Sequence, residues 1–314
     1  MKSTHLPEIT IRGGDHEHVL GIAGDYSSVR LGYQAMRLQD IFVAMLETQC
    51  FEVCEFSLAN YIVLHTGGQH WLGAIPVFPF RAFRHGGAIT RRDSPLTDLS
   101  QLEGKRVGVE DYSMTAAVWF RGLLRQEYGV DHRSITWVSY AKQRLPLPRD
   151  ASVELIEPGP HDLENRLLDG GIDAMLGFSV RDSRLSPQQR RLRSVLPDPQ
   201  AVEQDYYRRT GIYPINHCLV IRSDMLARMP ALADTVYDAY AAAKSRAYER
   251  QLGATLVPWG KAHWERTFEL FNGDPLPYGL TAQNRRVVEQ LAQDLHEQGF
   301  IDHVPDIGSL FIRP

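Results

Sequence analysis

Cysteine is scarce: the 314 residues contain only Cys50, Cys54 and Cys218. So odd and sparse a set makes no disulfide framework and lacks the paired spacing of a zinc site, so a reducing compartment is expected. Cys50 and Cys54, four apart, read as small half-buried hydrophobes. Long hydrophobic runs are also missing. No window is apolar for long enough to span a bilayer, and Met1 to Glu8 is not followed by the apolar core and cleavage site of a secretory signal. The expected location is cytoplasmic, or periplasmic for a chain trimmed of its signal. Positive charge is not in excess. A formal net charge of -4 speaks against nucleic acid and acidic membranes as partners, so the cations must act locally. Two catalytic signatures are absent as well. No Gly-x-Ser-x-Gly elbow stands out, and Gly13, Gly14, Gly21 and Gly24 form no dinucleotide-binding fingerprint.

What is present is an ordinary globular composition, 43% hydrophobic and 23% charged, long enough for one large or two modest units. The first third alternates strands with helices. His18 to Ala23 reads as the first strand, followed by a turn at Gly24-Asp25-Tyr26. Ile41, Phe42, Met45 and Leu46 recur at helical spacing, so Asp40 to Thr48 is expected to be an amphipathic helix. Phe51 to Phe56 alternates like a strand, Ser57 stands where a helix cap belongs, and Trp71 to Phe78 supplies the next strand. This βαβαβ order implies a parallel sheet. A second unit starts near Asp98, with a strand around Val107 and a helix bearing Ala116, Trp119, Phe120, Leu123 and Leu124 on one stripe. Lys142 to Pro160 reads as an irregular connection, Leu163 to Leu168 as a helix, and Gly171 to Gly177 and Cys218 to Ile221 as strands. Helices follow over Ala231 to Arg250 and after a Thr281 cap.

The densest chemical signal is Pro76-Val77-Phe78-Pro79-Phe80-Arg81-Ala82-Phe83-Arg84-His85. Arg81 and Arg84 suit a carboxylate because a guanidinium offers two parallel hydrogen bonds, and His85 adds a group able to move a proton near neutral pH. Ser113, Met114 and Thr115, following Tyr112, open a helix whose free N–H groups and dipole can hold an anion. Ser57 follows the same logic. Asp25 and Tyr26 end the expected first strand, where ligand contacts gather in open α/β sheets. Asp15, His16, Glu17 and His18 have the look of a metal tract, but a polar N-terminal segment reads more simply as a solvated loop.

Several segments resemble the 4,5-dihydroxyphthalate decarboxylase-like family. They include Phe51 to Leu58, Ile75 to Pro79 with Arg81 to His85, Gly104 to Val109, Tyr112 to Trp119, Tyr206 to His217, and Asp274 to Leu280. The resemblance implies an α/β, two-lobed type II periplasmic-binding-protein fold, each lobe a mostly parallel sheet flanked by helices. Residues 1–90 with 218–314 would form one lobe and 91–217 the other, with the ligand cleft between them and crossings near Ala88 to Thr90 and Asn216 to Val220. It further implies a decarboxylase of a hydroxylated, phthalate-type acid that needs neither metal nor organic cofactor. A hydroxyl para to the departing carboxylate can push charge onto the carboxyl-bearing carbon, so the protein must supply cationic clamps, a base and an acid. Arg81 and Arg84 are the expected clamps. His85 and His217, the latter at the return crossing, are the expected proton-transfer pair. The alternative is a receptor that captures a small organic acid for an ABC-type transporter, with a permease as its partner. Otherwise the only partner expected is a small anionic aromatic substrate, with self-association into a homo-oligomer left open.

Overall fold

The computed structural model describes residues 6–157, 162–177, 180–253 and 257–312. Among these, the early strands are Glu8–Gly13 (β1), Gly24–Asp25 (β2), Arg30–Ala35 (β3), Val53–Ser57 (β4) and Leu72–Ile75 (β5). Ala88–Arg91 (β6), Arg106–Gly108 (β7), Thr136–Tyr140 (β8), Val153–Ile156 (β9), Ala174–Leu176 (β10) and Leu192–Ser194 (β11) follow, and then His217–Arg222 (β12). They form two six-stranded sheets, β2-β3-β1-β4-β12-β5 and β11-β6-β10-β7-β8-β9. The chain divides accordingly into two compact units, one of residues 1–81, 215–288 and 305–314, the other of 82–214 and 289–304.

Both sheets are mixed, not mostly parallel. In the first, β1 runs parallel to β3 and β4, while β12 inserts antiparallel between β4 and β5. In the second, β7, β8, β9 and β10 pair in parallel, whereas β6 is antiparallel to both its neighbours, β10 and β11. A parallel sheet is the product of repeated right-handed crossovers. The returning strand β12 and the early strand β6 are not made that way, so local βαβ order does not reveal them.

The true first strand lies upstream of the expected one. In β1, Ile9 and Ile11 are buried while Glu8, Thr10 and Arg12 are not, the two-residue period of a half-buried strand. His18 to Ala23 instead contains a short 3-10 turn, Glu17–Val19, and loop. Asp25 therefore sits in the two-residue edge strand β2, opposite Arg30, and not at the end of a central strand. Around the first sheet lie the helices Leu38–Thr48 (α1) and Leu58–Thr66 (α2). Thr115–Tyr128 (α3), Leu163–Leu168 (α4) and Pro199–Thr210 (α5) belong to the second unit. Ser223–Arg228 (α6), Leu232–Leu252 (α7) and Gly260–Phe271 (α8) return to the first, and Ala282–Glu297 (α9) closes the sequence of helices.

The core of the first unit joins Ile9, Ile11, Val53, Ile75, Leu219 and Ile221 of the sheet to Val236, Ala239, Tyr240 and Ala243 of α7. Each of the buried Ile, Leu and Val side chains contributes on the order of 1.5–3 kcal/mol. The C-terminal region is not wholly part of that unit. The second half of α9 and the residue after it belong to the other one, where polar side chains bind them to α3: Gln126 Nε2 donates to Asp294 Oδ1 at 2.8 Å, and Arg121 Nε to Gln298 Oε1 at 2.7 Å. The Lys142 to Pro160 stretch is less irregular than its prolines suggest, since it contains β9; its residues 158–160 lie outside the described residues. Cys54 and Cys218 are buried and Cys50 is exposed.

Candidate functional site

Glu55 lies in the middle of β4 and is completely buried. A carboxylate stripped of water needs compensation. It receives three donors: Gly14 N–H at 2.9 Å, His16 Nε2 at 3.0 Å and His217 Nδ1 at 2.6 Å. Each arrives for a reason of topology. Parallel pairing of Ile11 with Val53 and Arg12 with Cys54 brings the end of β1, and so Gly13, Gly14 and His16, alongside Glu55. Antiparallel pairing of His217 with Ser57 and Leu219 with Glu55 delivers His217 from β12.

The approach of β1 depends on small residues. A Cβ on Gly13 would run into the Tyr33 hydroxyl and come within 3.3 Å of Glu55 Oε2, and one on Gly14 would lie 2.5 Å from His16 Nε2. Tyr33 Oη donates to the Gly14 carbonyl at 2.7 Å, so the peptide that carries His16 is gripped from both sides. Aromatic rings complete the cluster. Phe80 stacks on His16 at 6.0 Å between centroids and lies 5.1 Å from His217, Phe42 meets His217 edge-on, and His18 stacks on the His16 ring at 5.2 Å.

The electrostatics follow from these contacts. Burial pushes Glu55 up, but the hydrogen bonds and charges of His16 and His217 together outweigh it and hold the carboxyl below its usual range. Burial pulls His16 down, and again the Glu55 hydrogen bond and charge prevail, so His16 stays protonated above the ordinary histidine value. His18 has no such support. Burial and the neighbouring His16 lower it to about 4, leaving it neutral. An ionised Glu55 can only accept, so each imidazole presents it an N–H. The neutral tautomers are thereby fixed, with the lone pair at Nε2 of His217 and at Nδ1 of His16. A carboxylate that orients two imidazoles supports acid and base chemistry in one place. Among the described residues, no group of three or more His, Cys, Asp or Glu is arranged to hold a metal ion.

Of the substrate-binding and proton-transfer residues expected from sequence, only His217 is part of this cluster. Arg81 belongs to the same unit but is 5% exposed and donates through Nη2 to the Pro277 carbonyl at 2.9 Å and to Asn284 Oδ1 at 2.6 Å. Ser57 caps α2, accepting from Asn60 N–H. Asp25 forms an exposed ion pair with Arg30, and Tyr26 Oη donates to the Ile22 carbonyl. The remainder are in the second unit. Arg84 is buried, which lowers it to about 9 against the opposing charges of Tyr213 and Glu203. His85 is buried 5.0 Å from the Tyr206 ring and is lowered by burial to about 4. Ser113 gives both N–H and Oγ–H to Asp111 Oδ1, at 2.9 and 2.6 Å, so an internal carboxylate already occupies that side of the α3 start. Met114 is the N-cap residue and Thr115 opens the helix, while the Tyr112 ring lies 3.8 Å beneath the Arg121 guanidinium.

No family model matches the chain. A curated relative, the 4,5-dihydroxyphthalate decarboxylase of Comamonas testosteroni, is 32% identical over 275 residues, covering 83% of this chain and 82% of the relative. The protein of the same name from Pseudomonas putida is 33% identical over 178 residues, or 54% of this chain and 68% of its own length. The chain belongs to the 4,5-dihydroxyphthalate decarboxylase family. Membership makes it a carboxy-lyase, and the transport-receptor alternative is not favoured. Solved structures extend the likeness to the fold alone. The aliphatic sulphonate binding protein SsuA of Escherichia coli aligns with a TM-score of 0.60 at 14% identity, over 99% of this chain and 93% of its own. SsuA of Xanthomonas axonopodis pv. citri, bound to MOPS, gives 0.60 at 13% identity over 99% and 100%. The architecture is the two-lobed type II periplasmic-binding-protein fold expected from the sequence.

Sequence reasoning missed Glu55, His16, His18, Phe80 and Tyr33. A signal for the first did exist: Glu55 is the one charge between Val53-Cys54 and Phe56, in a strand whose five residues are all buried. The tract Asp15 to His18 reads from sequence as a solvated loop, which hides His16 and His18. In fact only Asp15 and Glu17 of that tract face solvent.

Proposed function

We propose that the protein decarboxylates a hydroxylated phthalate-type acid, with 4,5-dihydroxyphthalate as the reference substrate, and that His16 and His217 perform the proton transfers. The observation that carries this reading is the buried Glu55 carboxylate holding both imidazoles. In the proposed reaction, neutral His217 takes the phenolic proton through Nε2, and the oxygen electron pair moves through the ring to the carbon that bears the para carboxylate. Protonated His16, favoured as the acid by its raised affinity for a proton, then delivers a proton to that carbon. The carbon–carboxylate bond breaks, its electron pair restores the aromatic ring, and carbon dioxide leaves. His217 returns its proton to the phenolate oxygen, His16 is reprotonated at Nδ1 from solvent, and net consumption is one proton per carboxylate lost. His85, neutral and packed among tyrosines, has no part in this scheme.

On this reading the protein serves the catabolism of phthalate-type aromatic acids. A cytoplasmic setting is part of the proposal, and its free cysteines suit a reducing compartment. Turnover in heavy water tests the chemistry. The dihydroxybenzoate product should carry one deuterium at the former carboxyl position, and a product labelled elsewhere, or no product, sinks the reading.

A further inference from the structure

The buried polar atoms that lack a hydrogen-bond partner among the described residues include His18 Nε2 and the Tyr278 hydroxyl, both beside the Glu55 cluster. Buried groups left in this way are costly and call for an explanation. Both are in the first unit, and both lie within electrostatic reach of Glu55. Lys244 links them further, since its ammonium lies 4.3 Å from the Tyr278 ring centroid and its charge also acts on His18.

Each orphan has a defined polarity. His18 faces the Pro79 carbonyl, and as that peptide oxygen can only accept, the proton of the neutral imidazole is on the nitrogen turned to it. Nε2 is therefore an acceptor. Tyr278 is held protonated by burial and by the Asp274 and Glu55 charges, so its hydroxyl is a donor. The tyrosine is also firmly placed. Lys244 Nζ binds Asp274 Oδ2 at 2.5 Å and the Leu276 carbonyl at 2.8 Å, Arg81 and Asn284 hold the Pro277 carbonyl, and Gly279 N–H donates to the Pro76 carbonyl at 2.7 Å.

We propose that His18 and Tyr278 form a hydroxyl-recognition subsite, in which a phenolic hydroxyl of the substrate donates to His18 Nε2 and accepts from the Tyr278 hydroxyl. One phenol group satisfies both orphans at once. A carboxylate does not, because it only accepts and would meet the imidazole lone pair, so the subsite orients the hydroxylated edge of the ring toward His18. This rests on the proposed aromatic-acid substrate and adds how the enzyme tells a hydroxylated phthalate from phthalate itself. Sites built to bond a hydroxyl reject the analogue that lacks it, because their own polar groups then stay unpaired.

The test is calorimetric binding of 4,5-dihydroxyphthalate and of phthalate to wild type, Tyr278→Phe and His18→Phe, both variants keeping the packed ring. Wild type should prefer the dihydroxy acid by about 100-fold, and each variant should lose about tenfold of that preference while phthalate affinity stays level. Equal weakening of both ligands, or an unchanged preference, overturns the subsite. Carbon dioxide release, measured on the same samples, separates the two claims. A preference that collapses in the variants without any wild-type turnover leaves the subsite standing and removes decarboxylation.

Discussion

Replacing Glu55 by Gln is the most informative single change. The amide keeps the volume and can still accept from Gly14 and one imidazole, but its nitrogen can only donate, so the other imidazole must surrender its N–H contact. A hydrogen bond to a charged group contributes about 1.5–3 kcal/mol, and unpairing a buried ionic group costs about 3–5 kcal/mol. A loss of about 2–4 kcal/mol in folding stability is expected, read from urea midpoints. The effect depends on pH in a defined direction. Glu55 is depressed, so its stabilisation is present above the ordinary carboxylate range and disappears as pH falls through its folded value. His16 is raised, so its share is complete below 6.5 and disappears as pH rises through its folded value. The gap between wild type and variant should therefore be widest near pH 5–6 and narrower toward pH 8. Turnover should fall by about 100-fold or more, the usual contribution of a positioned acid or base. An imidazole titration followed by NMR should show His16 moving downward once burial acts unopposed. A variant with wild-type turnover, an unshifted His16 and an unchanged midpoint at pH 5.5 would refute the reasoning.

Other outcomes follow from neighbouring contacts. Gly13→Ala should destabilise the fold by about 1–3 kcal/mol because its methyl meets the Tyr33 hydroxyl, and adding Tyr33→Phe should recover part of that; full stability of the single variant would contradict the close packing. Arg81→Met should lower the urea midpoint without any ligand present, by about 1–3 kcal/mol, since it leaves the Pro277 carbonyl and Asn284 Oδ1 without the Arg81 Nη2 donor; unchanged stability with a raised KM would make Arg81 a substrate clamp instead. His85 binds its proton less readily folded than unfolded, so it removes stability as pH drops from 6.5 toward about 4. His85→Phe should relieve up to about 2–3 kcal/mol of that acid lability and leave the pH profile of turnover above pH 5 unmoved; a shifted profile would return His85 to the chemistry.

The α/β character, the two units and most helices were legible because they depend on local periodicity. Helix α4 was read to the residue, and Thr281 does accept from the Asn284 N–H that its capping role requires. The candidate site was not legible in the same way. Glu55 meets His16 across 39 residues of sequence and His217 across 162, contacts that only the β1–β4–β12 register creates. Polar residues within β4 look from sequence like a solvent-facing alternation, yet helices and flanking strands bury every position. The partners of Arg81 were hidden for a related reason. Two cations near a strand end suggest an anion, but Arg81 spends its donors on a carbonyl and an amide roughly 200 residues away, the separation being 196 to Pro277 and 203 to Asn284.

The central claim, that a Glu55-held pair of histidines decarboxylates a phenolic phthalate, is tested most directly by carbon dioxide release. Purified protein incubated with carboxyl-labelled 4,5-dihydroxyphthalate should liberate one labelled carbon dioxide per substrate consumed, together with the ultraviolet spectrum of a dihydroxybenzoate. His217→Gln should remove that release while retaining binding. Tight binding by wild type with no carbon dioxide, or full release by His217→Gln, would contradict the account.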